Sequence, residues 1–324
     1  MKHAEAPLAN RAAIAWVKDY LLKRHDPLQT LLQIKEVPWS SIYRIETARG
    51  RFYLKRAAEP FAIEIRLLPY LSRYYPASVP QMIASHAPLN ALFMLDAGEP
   101  LRLLLQKAYD LPLVLDAIER YTHIQVGLIA HVDELISCGV LDWRLSSLPK
   151  LYLELLNQKE TLLRDGLSRD EIESLLNMYP HVVKLCDALS TYKIPATIEH
   201  GDFHDNNVLV GQSNPVINDW GDAVITHPFF SLTSWVSSMR RNHLIDLESA
   251  SYTAILDHYL QHWMAFEPMS RLKEAFYLVS RLSPIKFSLS FYRITLCGDT
   301  PLCYRGYLAS ALKQFMHATP GKSL

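Results

Sequence analysis

The stretch Ile198-Glu199-His200-Gly201-Asp202-Phe203-His204-Asp205-Asn206-Asn207-Val208-Leu209-Val210, followed by Ile217-Asn218-Asp219-Trp220-Gly221-Asp222, decides how this chain is read. Asp202, Asn207 and Asp219 stand in an order that suits phosphoryl transfer. One carboxylate orients the attacking hydroxyl, and two oxygen ligands hold the Mg²⁺ that neutralises a nucleotide triphosphate. Val208-Leu209-Val210 and Val216-Ile217 flank Gly211-Gln212-Ser213-Asn214-Pro215, a segment rich in turn formers, so the spacing predicts a β-hairpin that returns Asp219 to the side of Asn207. Magnesium prefers hard oxygen donors and keeps several waters, so an amide oxygen and a carboxylate, completed by phosphate oxygens, suffice. Gly221 is expected to let the backbone turn sharply just past the metal ligand.

His200-Gly201-Asp202 through Asn207, with Asp219-Trp220-Gly221, resembles the catalytic loop and metal-binding motif of the aminoglycoside phosphotransferase and choline kinase-like family, small-molecule relatives of the protein kinases. At lower resolution the resemblance runs from about residue 25 to about residue 245. It implies an α+β, two-lobed protein kinase-like fold, with a small mixed α/β N-terminal lobe and a larger, mainly helical C-terminal lobe. It also implies ATP or GTP as co-substrate, Mg²⁺, and a small hydroxylated acceptor. Asp202 would then be the catalytic base, and Asn207 and Asp219 the metal ligands. A strand lysine that contacts the α- and β-phosphates, held by a glutamate of the next helix, corresponds to Lys55 and Glu64. The family's hinge corresponds to Ala91-Leu92-Phe93-Met94-Leu95-Asp96-Ala97-Gly98, which puts Met94 and Asp96 beside the nucleotide and divides the chain into 1–97 and 98–324. His204 stands where protein kinases place a phosphate-contacting lysine.

Length and composition agree with two lobes. A chain of 324 residues exceeds a typical single core. A balance of 33 basic and 33 acidic residues supplies no net field for nucleic acid or an anionic membrane. Cys138, Cys186, Cys297 and Cys303 form no CxxC pair, and the polar opening Met1-Lys2-His3-Ala4-Glu5 has no signal-peptide pattern, so a cytoplasmic protein with reduced thiols is expected. No apolar run is long enough to span a bilayer. Oligomeric state is left open.

Along the chain, Ile14, Val17 and Leu21 predict a helix over 12–24, and strand-like runs follow near 29–37, 41–47 and 51–56. In the last, period two sends Phe52 and Leu54 to one face and Tyr53 and Lys55 to the other. Glu64, Leu67, Leu68 and Leu71 share a helical stripe that Pro69 is expected to kink or end. Helical periodicity then covers 101–128, 146–164, 168–190, 230–263 and 269–284, with only the catalytic hairpin interrupting it. Trp220, Trp235 and Trp263 read as core, and Asp205, Asp222 and Glu267 mostly as solvated surface.

The chain departs from the family pattern at several points. Val37-Pro38-Trp39-Ser40-Ser41-Ile42-Tyr43 has no glycine where relatives carry a glycine or small-residue loop over the phosphates. Tyr53 occupies space a purine would use. Ser231 stands where many relatives have an aspartate that braces the catalytic loop, so bracing of His200 is expected from elsewhere. Two other readings remain open on the residues alone. One is a catalytically weak nucleotide-binding pseudoenzyme, and the other is a metallohydrolase using His200, Asp202, His204 and Asp219.

Overall fold

The computed structural model describes residues 8–211 and 214–317; Met1 to Glu5 of the polar opening and Gln212 and Ser213 of the expected turn lie outside them. Helix α1 (Leu8–Leu22) precedes three strands, β1 (Thr30–Val37), β2 (Ser40–Thr47) and β3 (Gly50–Ala57). Helix α2 (Glu64–Tyr74), β4 (Met82–His86) and β5 (Ala91–Leu95) complete an antiparallel sheet of order β1-β2-β3-β5-β4. Alternation in β3 sorts the two faces. Phe52 and Leu54 pack with Ala91 and Phe93 of β5 beneath Ala13, Val17 and Leu21 of α1. Lys55 pairs with Leu92 and Tyr53 with Met94, so these four residues share the opposite face. Leu92 and Met94 join Ile65, Leu67, Leu68 and Leu71 of α2 in the core that continues into the helical region.

Pro69 does not end α2, which runs on to Tyr74. The amphipathic stripe Leu67, Leu68 and Leu71 is buried, and burial of roughly 1.5 to 3 kcal/mol per large side chain offsets the backbone hydrogen bond a proline forfeits.

The rest is mainly helical. The expected long helices are mostly broken pairs: α3 (Leu101–Lys107) with α4 (Leu111–Gly127), then α5 (Val132–Ser137), α6 (Leu148–Leu156) with α7 (Lys159–Asp165), α8 (Arg169–Asn177) with α9 (Tyr179–Ser190), and α10 (Phe229–His243) with α11 (Ala250–Gln261). Three of these breaks have a local cause: Asp110 caps α4 by accepting from the Leu113 N–H, Pro180 opens α9, and Ser249 caps α11 by accepting from the Tyr252 N–H. Ser168 starts α8 in a capping box, at the expected boundary. Helix α12 departs the other way: it passes through Pro284 and extends from Met269 to Thr295, eleven residues beyond the expected end. It packs against α13 (Tyr307–His317).

Besides the hairpin, short strands lie in the helical region. β9 (Val208–Val210) and β10 (Val216–Ile217) form the expected hairpin, with Ile217 opposite Val208, and β6 (Glu99–Pro100) extends it. A second small sheet, of order β7-β11-β8, joins Leu141–Asp142, Val224–Thr226 and Thr197–Glu199. β8 delivers the chain into the His200 loop and β11 leaves the Asp219 loop, so their pairing ties the two motifs together from below.

Candidate active site

Two groups of polar side chains meet where the five-stranded sheet faces the helical region. The first joins Lys55, Glu64 and Asp219. The Lys55 Nζ lies 2.5 Å from Glu64 Oε2 and 2.5 Å from Asp219 Oδ1. Glu64 Oε1 accepts the Trp220 N–H at 3.1 Å, so a single helix carboxylate holds both the strand lysine and the backbone just past Asp219. Burial by itself would lower the Lys55 pKa, but the Asp219 and Glu64 charges outweigh it and hold the ammonium above its ordinary value. Burial raises Asp219 as well, yet Lys55 pulls it below the ordinary carboxylate value. Glu64 is pushed up by burial against the same ammonium.

The turn at Asp219 is built differently from the expectation. Asp219 itself adopts the left-handed conformation, φ 67°, and Gly221 does not. Gly221 meets a different constraint, because a Cβ there would stand 3.1 Å from the Phe61 carbonyl oxygen. The glycine lets the segment preceding α2 lie directly on the Asp219 loop.

The second group surrounds Asp202. The Asn207 side-chain nitrogen donates to the Asp202 backbone oxygen at 2.9 Å and to Asp202 Oδ2 at 3.2 Å, which leaves the amide oxygen as the atom able to face a cation. The Asn218 N–H donates to the Asn207 carbonyl at 2.8 Å and sets Asp219 beside Asn207, as a hairpin requires. The Asp202 side chain is 54% exposed. Burial of the surrounding cleft opposes its ionisation, but the His204 hydrogen bond and charge, with Lys286 adding to them, hold it below the usual carboxylate range. His204 Nε2 lies 3.2 Å from Asp202 Oδ2; burial lowers its pKa and Asp202 more than restores it. Its Nδ1 is buried without a hydrogen-bond partner among the described residues.

Asp205 is not solvated surface. It is fully buried, accepts two hydrogen bonds from Arg102 of α3 at 3.0 and 2.8 Å, one from Ser238 at 2.5 Å, and lies 2.7 Å from His243 Nε2 of α10. These contacts fix the turn that carries Asn207. Glu267 is buried as well, bonded to Arg271 and the Lys193 N–H. Asp222 is part-buried, and burial, with Asp202 and Asp219 adding to it against Arg293, pushes its carboxyl up to about 6.

Both His200 nitrogens are engaged with backbone. Nε2 donates to the Asn218 carbonyl at 2.8 Å, and Nδ1 accepts the Asp202 N–H at 3.3 Å. Burial lowers its pKa and keeps the ring neutral, as this tautomer needs. His200 therefore joins the two motifs and has no nitrogen left for a metal. Among the described residues no group of three or more His, Cys, Asp and Glu side chains is arranged to hold one. The oxygen pair of Asn207 and Asp219 does suit a magnesium ion that takes its remaining ligands from phosphate and water.

The loop is braced by Ser231 together with Tyr121 and Glu199, two residues that no sequence motif marks. The His200 N–H donates to the Tyr121 hydroxyl at 3.0 Å, that hydroxyl meets Ser231 Oγ at 2.6 Å, and Ser231 donates to Glu199 Oε1 at 2.8 Å. All three side chains are fully buried. Tyr121 also stacks on Phe203, with ring centroids 3.9 Å apart, and Phe203 on Trp235 at 4.6 Å. Trp220, Trp235 and Trp263 are core, as expected.

Met94 and Asp96 lie at the end of β5, apart in their contacts. Met94 is buried in the main core, and Asp96 accepts the Gly98 N–H and lies 3.5 Å from Arg51. The glycine-free segment closes tightly, with Val37 paired to Ser40 so that Pro38 and Trp39 form a two-residue turn. Trp39 packs edge-on against Tyr304 at 4.8 Å and beside Phe61 and Ile294. Arg293 of α12 donates to the carbonyls of Pro60, Gly221 and Asp222, with its guanidinium 4.6 Å from the Phe61 ring centre.

A strand lysine paired to a helix glutamate, above an aspartate loop that a hairpin links to a second aspartate, defines a protein kinase-like small-molecule phosphotransferase. The sequence profile of the phosphotransferase enzyme family matches residues 31–268, and the chain belongs to that family. Solved structures agree in fold. Choline kinase from Cryptosporidium parvum Iowa II is 12% identical, covers 94% of each chain and superposes with a TM-score of 0.65. Plasmodium vivax ethanolamine kinase is 12% identical over 97% of this chain and 91% of its own, at 0.66. The streptomycin-ATP-APH(2")-IIa ternary complex is 13% identical over 96% and 97%, at 0.58. No curated protein sequence matches significantly. Among the described residues no helix is long and apolar enough to cross a membrane.

Proposed function

We propose that the protein transfers the γ-phosphoryl group of ATP or GTP to a hydroxyl of a small molecule with Mg²⁺ bound, the larger helical lobe, from about residue 98, contributing the acceptor site. Asp202 would orient the acceptor hydroxyl and receive its proton. Its exposure places it at the cleft surface, and its low pKa keeps it ionised to orient the hydroxyl, whose proton it would take as the phosphoryl group transfers. Asn207 and Asp219 would hold Mg²⁺, whose charge would offset the negative charge that develops on the transferred phosphoryl group. Lys55 would meet the phosphates, positioned by Glu64, with His204 nearby. Met94 and Asp96 would flank the base. The observation that carries this reading is the Lys55–Glu64–Asp219 cluster, in which two residues far apart in sequence from Asp219 converge on the metal-binding candidate. Among the fold relatives, the ternary complex holds ATP with streptomycin, which supports ATP as the donor.

A screen of hydroxylated acceptors with ATP, GTP and Mg²⁺, read by γ-phosphate transfer, tests the proposal. Mg²⁺-dependent transfer to one acceptor class is expected. Tight nucleotide binding by thermal shift with no transfer to any acceptor, or to water, would favour the second reading, a nucleotide-binding protein without turnover. The two-residue turn at Pro38 and Trp39, which offers no glycine-rich cradle to phosphates, is the observation on that side.

A further inference from the structure

Lys286 lies on α12, two residues past Pro284 and far along the chain from the His200–Asp202 loop. Its side chain is 1% exposed, yet it carries an ammonium. Nζ donates to the Gly201 carbonyl at 2.6 Å and lies 3.0 Å from Glu199 Oε2. The same Glu199 oxygen accepts the Gly201 N–H at 3.0 Å. Lysine, glutamate and glycine peptide therefore close a small ring, and the other Glu199 oxygen carries the Ser231–Tyr121–His200 chain.

Gly201 is the residue immediately before Asp202. It is held at φ 88°, and a Cβ there would stand 2.3 Å from the Asp222 carbonyl oxygen. The peptide linking it to Asp202 has one carbonyl and one ordered orientation, and the ammonium bonds that carbonyl. An ion pair buried this deeply forfeits the hydration of both charges, and replacing such a pair with hydrophobic residues of the same volume is often neutral or stabilising. What this pair does supply is a fixed geometry, with the ammonium spanning Glu199 and the Gly201 carbonyl.

We propose that Lys286 is a positioning residue: by bonding the Gly201 carbonyl and Glu199 together it fixes the Gly201–Asp202 peptide, and so aims the Asp202 carboxylate at the acceptor site. The catalytic role of Asp202 rests on the function proposed above; the fixing of the peptide does not. Lys286 is itself sealed in the core, and apart from its charge, which Asp202 feels, its polar contacts reach the site through Glu199 and the Gly201 carbonyl. The helix reaches this point only because α12 continues through Pro284.

The test pairs Lys286→Met with the double variant Lys286→Met/Glu199→Gln, which removes both charges of the buried pair and keeps an amide oxygen to accept the Gly201 N–H. The single variant is expected to melt several degrees lower, because it strands a buried carboxylate. The double variant is expected to recover most of that loss. In the folded double variant, hydrogen exchange of the segment spanning residues 200–203 should quicken at least tenfold, with the five-stranded sheet unchanged. Mg-ATP affinity should stay within twofold, while the rate of γ-phosphate transfer to the best acceptor, or to water, falls at least tenfold. Exchange in this segment that stays as slow as in the wild type, or that quickens equally throughout the chain, overturns the proposal and reduces Lys286 to core. If the wild-type protein bound no nucleotide, the function proposed above would fail, while local exchange faster in the double variant than in Glu199→Gln alone would still establish the positioning role of Lys286.

Discussion

The two walls of the cleft are held in opposite ways. On the sheet side, Lys55, Glu64 and Asp219 form a charged cluster whose outermost member is part-exposed, with 29% of the Asp219 side chain reaching solvent. Beneath Asp202, Tyr121, Glu199, Ser231 and Lys286 are sealed in the core. On the function proposed above, the first wall, open to solvent through Asp219, would exchange partners with phosphate and metal. Charges and hydroxyls without access to water hold one arrangement, so the second would serve to aim Asp202. Substitutions should divide accordingly between nucleotide affinity and turnover.

The largest effect is expected at Asp219, where the walls meet. Asp219→Ala should eliminate turnover and weaken Mg²⁺-dependent nucleotide binding, because it removes the charged oxygen ligand and half of the partners of Lys55. Asn207→Ala should act alike to a lesser degree, since a neutral amide attracts a cation less. Calorimetric titration of nucleotide with and without Mg²⁺ decides it; wild-type affinity in Asp219→Ala would mean the metal site is misassigned.

Next comes Asp202→Asn, which should keep nucleotide affinity and lose on the order of a hundredfold or more in kcat, since an amide cannot take the acceptor proton. Near-normal turnover would remove Asp202 from catalysis and with it the contrast between the walls.

Lys55→Ala should lose roughly 1.5 to 3 kcal/mol in kcat/KM, the scale of one charge-assisted contact to phosphate. Glu64→Ala should lose less, and the double variant no more than Lys55→Ala alone. A double-mutant cycle measures that dependence. Strictly additive losses would show that the two residues act separately, against the reading that Glu64 only positions Lys55.

The smallest effect sharpens the comparison through stability. Asp222 lies between the walls, its carboxyl raised from 3.8 to about 6. A raised folded-state value means that the folded protein holds the proton more tightly, so this group costs stability as pH rises from about 4 past about 6. Asp222→Asn should therefore gain roughly 1 to 2 kcal/mol over the wild type at pH 8 and nothing near pH 3.5, the full shift being eased by partial exposure to water. Urea unfolding at both values checks it. An equal gain at both would assign the effect to packing.

The site divides along the same line in how far it could be read from the chain. Period-two alternation put Lys55 opposite Phe52 and Leu54, and turn formers between two apolar runs were enough to bring Asp219 back to Asn207, because both are consequences of local backbone geometry. Periodicity along the chain covered α12 only to residue 284, short of Lys286 and Arg293. The helix runs on through Pro284 to Thr295 because burial against elements far along the chain outweighs the one backbone hydrogen bond a proline forfeits. Asp205 was misjudged for the same reason: its partners Arg102, Ser238 and His243 come from two other helices.

The sequence by itself therefore determined the chemistry available: which carboxylates, amide and lysine could serve phosphoryl transfer, and the hairpin that brings two of them together. Only the tertiary structure decided how they are held. Tyr121 replaces the expected brace of His200, Ser231 passes that bond to Glu199, and Trp39 docks on Tyr304 in place of a glycine loop. Spacing along a chain reports neighbours within a few residues. Support of this kind depends on which distant side chains share a buried volume, and that is settled only when the whole chain packs.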